Sequence, residues 1–127
     1  MAIISEQKVE DQSIEYFKEI GYQYKDGYEI SPEGNKPERD EFNQVILEKR
    51  LISALTKINS DIPIEIISKY IFQLTNPNFT DLLISNREFH SWLTKGLKIT
   101  YMKDDQEIGK QLKLIDFDNM DNNDFLI

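Results

Sequence analysis

Residues able to do chemistry are sparse in this chain, and three groups of them stand out. Glu48 is the first. At about 100° per residue, Val45, Leu47, Leu51, Ile52, Ala54, Leu55 and Ile58 spread over half of a helix circumference, and Glu48 falls inside that arc between Leu55 and Ile52. Gln44 and Glu41 share the same side. A carboxylate on an apolar face must be paired, hydrogen-bonded or protonated. Glu48 is therefore a candidate catalytic residue, a carboxylate supporting a metal ion. A structural ion pair with a neighbouring Lys or Arg would explain the same position.

Asn86 and His90 form the second group. Their i, i+4 spacing places them within the apolar arc of Phe79, Leu82, Leu83, Phe89 and Leu93. Such a pair suits proton transfer or a contact close to DNA. It equally suits a hydrogen-bonded structural pair that fixes helix register, the commoner role of a lone buried His. Trp92 points elsewhere and reads as a packing anchor.

The third group is the acidic run Asp116 to Asp124. Counted from Asn119, Asp121 and Asn123 match the first oxygen positions of a calcium loop, but Asp124 stands where such a loop needs Gly. Asx turns account for this composition better.

What is absent narrows the chemistry further. There is no Cys and one His, which excludes disulfides, thiolate chemistry and multi-His zinc sites. No Gly-rich phosphate loop ending in Gly-Lys-Ser/Thr and no Gly-x-Ser-x-Gly elbow occurs. The single Asp/Glu-x-Lys triplet, Glu6-Gln7-Lys8, has no Asp-bearing strand before it. Fifteen Lys and Arg against 23 Asp and Glu give a net charge of −8, the wrong sign for a solitary nucleic-acid binder. With no apolar run of membrane-spanning length and no secretory signal, the expected location is the cytoplasm.

The elements that must position these residues follow from periodicity and punctuation. The 127 residues suit one domain with a core of its own. Ser5 to Ile20 reads as a helix with Ser5 as N-cap and Gly21 as its stop. Asp26-Gly27 between Tyr22–Tyr24 and Tyr28–Ile30 reads as a hairpin. Ser31 to Asp40 is a loop. Asp40 to Ile58 reads as the longest helix, Pro63 to Thr75 as a third and Thr80 to Lys95 as a fourth, ended by Gly96. Leu97–Tyr101 and Leu112–Ile115 read as strands about a polar turn at Asp104-Asp105-Gln106, and Phe125–Ile127 as the start of another. The expected class is α/β (α+β), about four helices followed by a small mixed or antiparallel sheet. The apolar ending suggests the first part of a larger unit.

Taken together, several segments resemble the N-terminal region of the restriction (R, HsdR) subunit of type I restriction enzymes. They are Ser5-Glu6-Gln7 with Glu15-Tyr16-Phe17 and Gly21-Tyr22; Glu38-Arg39-Asp40; Val45 to Leu51 with Ala54-Leu55 and Ile58-Asn59; Asn86-Arg87-Glu88-Phe89-His90 with Leu93 to Gly96; and Leu114 to Asn119 with Asn122 to Phe125. The resemblance implies that residues 1–127 are part of a PD-(D/E)xK-type nuclease domain, truncated before the catalytic Asp and Glu-x-Lys. It implies a parent endonuclease that uses Mg²⁺ and ATP to cleave unmethylated DNA. It also implies modification and specificity subunits as partners in host defence. On this reading the isolated chain is inactive. The alternative is a non-catalytic interaction module from a truncated gene.

Overall fold

The computed structural model describes residues 3–76 and 81–127. The chain divides into two compact units, one drawn from the residues up to Asn43 together with Asp124–Ile127, the other spanning Gln44–Asn123.

The first unit is organised by how its helix begins and ends. Helix α1 (Glu6–Glu19) is capped by Ser5, whose Oγ accepts the Lys8 N–H at 3.2 Å. At the other end Gly21 takes φ 103°, the left-handed region that glycine enters without penalty. The Tyr22 N–H then donates to Phe17 O (2.9 Å) and the Gly21 N–H to Lys18 O (3.1 Å), a Schellman closure. Its accompanying apolar contact is the edge-on packing of Phe17 against Tyr22, centroids 5.0 Å apart. Tyr22 packs in turn on Phe125.

The hairpin expected around Asp26-Gly27 does not form. Asp26 Oδ1 accepts the Tyr28 N–H at 2.8 Å, and Tyr28 O accepts the Ser31 N–H, so the segment satisfies its backbone locally. Residues 23–25 pair instead with the chain end: Gln23 N–H donates to Phe125 O and accepts at its carbonyl from Ile127 N–H, both at 2.8 Å. This makes a single parallel bridge, Gln23 with Leu126, where a third strand was expected. Gly34 is required nearby, because a Cβ there would collide with the carbonyl oxygens of Tyr28 and Glu29.

The second unit holds helices α2 (Glu48–Ile58), α3 (Ile64–Thr75) and α4 (Leu82–Lys95), strands β1 (Leu97–Lys103) and β2 (Gln106–Leu112), and a 3-10 turn at Met120–Asn122. Helix α2 is shorter than the expected span from Asp40, with residues 40–47 outside any helix. There the Gln44 amide donates to Ile46 O, and the branched Val45 and Ile46 favour extended backbone. Pro63 precedes α3 as N-cap. Asp81 caps α4, Oδ1 accepting the Leu83 N–H at 2.8 Å. Thr80, the expected start, lies outside the described residues.

Gly96 ends α4 at φ 82°, ψ 167°, a region essentially reserved for glycine. A Cβ there would sit 2.9 Å from Leu112 O, so glycine also lets the helix end approach the close of β2. The strands form an antiparallel hairpin from Leu97↔Leu112 to Lys103↔Gln106. Asp104 and Asp105, at φ 52° and 61°, make the two-residue turn whose mirror-image geometry matches strand twist. The second strand thus precedes the expected Leu112–Ile115. Leu97, Ile99 and Tyr101 alternate inward and join Leu55, Ile62, Ile67, Ile71, Leu74, Trp92 and Leu112 in one core. Among the described residues the architecture is α+β, four helices followed by a two-stranded antiparallel sheet.

Candidate functional site

Glu48 is exposed, not enclosed in an apolar arc. It lies on the side of α2 that carries Leu51, Ile52 and Leu55, but it is the first helical residue, and only Leu55 of that helix is fully buried. At this position the carboxylate faces the positive end of the helix dipole, an ordinary stabilising place for an acid.

Asn86 and His90 are also exposed. The arc expected to bury them is not covered: Leu82 is 83% and Leu83 65% exposed, and Phe89 is exposed too. Phe79 lies outside the described residues. Helix α4 enters the core through Trp92, against which Phe89 packs edge-on at 5.9 Å, with Leu93 half-buried. Trp92 is the packing anchor its position suggested.

Among the described residues of the second unit, the buried polar side chains are Asn59 and Asp116. Asn59 is buried just past α2. Its Oδ1 accepts the Lys113 N–H at 2.8 Å, and its Nδ2 donates to Lys113 O and Leu55 O, each at 2.9 Å. Asp116, 8% exposed, accepts at Oδ1 from the backbone N–H groups of Asn119 (2.9 Å) and Asp118 (3.0 Å) and at Oδ2 from Asn122 Nδ2 (2.9 Å). Asn123 closes the loop, its Oδ1 accepting the Asp116 N–H and its Nδ2 donating to Asp116 O. The Asn119 N–H first, then the Asn122 amide, hold the Asp116 carboxyl below its ordinary value. The side-chain oxygens of Asn119 and Asn123, two of the three positions a calcium reading uses, accept backbone N–H groups of Asp121 and Asp116, as Asx turns do.

An open cleft of about 240 Å³ lies beside this loop, lined by Leu93, Lys95, Lys113, Ile115, Phe117 and Asp118, among others. Its two ammonium groups meet the Asp118 carboxylate, 4.0 Å from Lys113, and the negative end of α4. The charges nearly offset one another and select no ligand class. Among the described residues no three acidic, His or Cys side chains gather to hold a metal ion. No helix among them is long and apolar enough to cross a membrane. The acidity is uneven: the first unit has five Lys and Arg against twelve Asp and Glu (−7), the second ten against eleven (−1).

The described residues thus give helices followed by a hairpin, and the family is shown by sequence comparison. The chain belongs to the family described as the type I restriction enzyme R protein N terminus, whose model matches residues 3–127. A putative type I restriction enzyme MjaIXP endonuclease subunit of Methanocaldococcus jannaschii is 34% identical over 119 residues, 94% of this chain and 11% of that protein. The type I restriction enzyme HindI endonuclease subunit of Haemophilus influenzae is 22% identical over 124 residues, 98% of this chain and 12% of that protein. The chain therefore spans about a tenth of the length of these relatives. No solved structure matches it.

Proposed function

We propose that this chain supplies the N-terminal part of a PD-(D/E)xK-type nuclease domain in a type I restriction endonuclease R subunit. The observation that carries the reading is the family match across residues 3–127. The parent protein would cleave unmethylated DNA in an ATP- and Mg²⁺-dependent reaction. It would work in the cytoplasm with modification and specificity subunits. Endonuclease-subunit relatives that align along nearly the whole chain support this.

The described residues do not by themselves make a metal site, since no three His, Cys, Asp or Glu side chains among them are placed to hold an ion. Nor does the sequence contain the Gly-Lys-Ser/Thr loop that would cradle ATP phosphates. The chain by itself leaves DNA uncut. Glu48, exposed at the head of α2, would contribute one carboxylate to a metal site completed elsewhere in the R subunit. Asn86 and His90, exposed on α4, would lie near the DNA path or serve structure alone.

The test is Glu48→Gln in a full-length R subunit assembled with its modification and specificity subunits. Cleavage should fall at least tenfold while ATP hydrolysis stays at its original rate. Cleavage at the original rate would remove Glu48 from the site.

A further inference from the structure

We draw no further inference here: the strongest candidate, the exposed apolar surface of α4 formed by Leu82, Leu83, Ile84 and Phe89, carries nothing because nothing among the described residues shows what covers it.

Discussion

The Asn59 side chain grips both backbone polar groups of Lys113, accepting its N–H at 2.8 Å and donating to its carbonyl at 2.9 Å. That is the pairing a neighbouring strand would offer. Here an amide at the end of α2 offers it, one residue beyond the close of β2. A similar device acts on β1, where the Tyr70 hydroxyl accepts the Thr100 N–H (3.1 Å) and donates to Thr100 O (2.9 Å). Two side chains thus tie the small sheet to the helices beside it.

Asn59→Ala should therefore cost about 1–3 kcal/mol, because it removes three bonds of a buried amide and leaves the part-buried Lys113 N–H and carbonyl without that partner, while Leu55 O keeps the Asn59 N–H. Asn59→Asp should also destabilise, since the acceptor survives but both donated bonds are lost. Urea unfolding of the two variants measures this. A midpoint unchanged in Asn59→Ala would mean that water replaces the amide without loss.

Asp116 gives a pH dependence with a definite sign. Its carboxyl is held below the unfolded value by the Asn119 N–H and then the Asn122 amide. The unfolded chain therefore takes up a proton before the folded one does. The resulting stability is present above the unfolded value of about 3.9 and is lost as pH falls through the lower folded value. Asp61, lowered chiefly by its hydrogen bond from Lys110 at 2.7 Å, acts in the same direction. Asp116→Asn should shrink the acid-side slope of a melting-temperature profile without abolishing it. An identical slope below pH 4 in the variant would refute the assignment.

Glycine is needed at Gly96 and not at Gly109. Gly96→Ala forces a Cβ into a backbone region costing about 1–3 kcal/mol and sets it 2.9 Å from Leu112 O, a backbone atom with little room to yield. Gly109→Ala meets nothing within 4 Å at a strand position where a side chain is favoured. Thermal melts should show Gly96→Ala lowered by several degrees and Gly109→Ala equal to the parent or higher.

The sequence announced local chemistry well and axial position poorly. Ser5, Gly21 and Gly96 marked helix ends because each acts within a few residues of itself. The hairpin turn at Asp104-Asp105 was visible, but the polar, Gly-containing strand Gln106–Leu112 carried no apolar alternation, and its pairing comes from turn geometry. Glu48 shows the other failure. Angular spacing puts it on the side of Leu51, Ile52 and Leu55, yet burial depends on distance along the helix, and α2 begins at that residue. Asn59 and Asp116 had no periodic signal at all. Their roles depend on partners brought close only by the fold.

The same distinction sets the energetics of α4, and it can be measured. The helix holds the second unit through its C-terminal half, where Trp92 is buried against the core, while Leu82 and Leu83 stand in solvent at the other end. Trp92→Ala should cost about 3–5 kcal/mol, the range for emptying a buried aromatic site. Leu82→Ser should stay within about 0.5 kcal/mol, as surface changes do. Denaturant unfolding of both variants decides the matter. A large loss in Leu82→Ser would mean that the apolar N-terminal half of α4 is covered in solution, and its burial would then have to be reassigned.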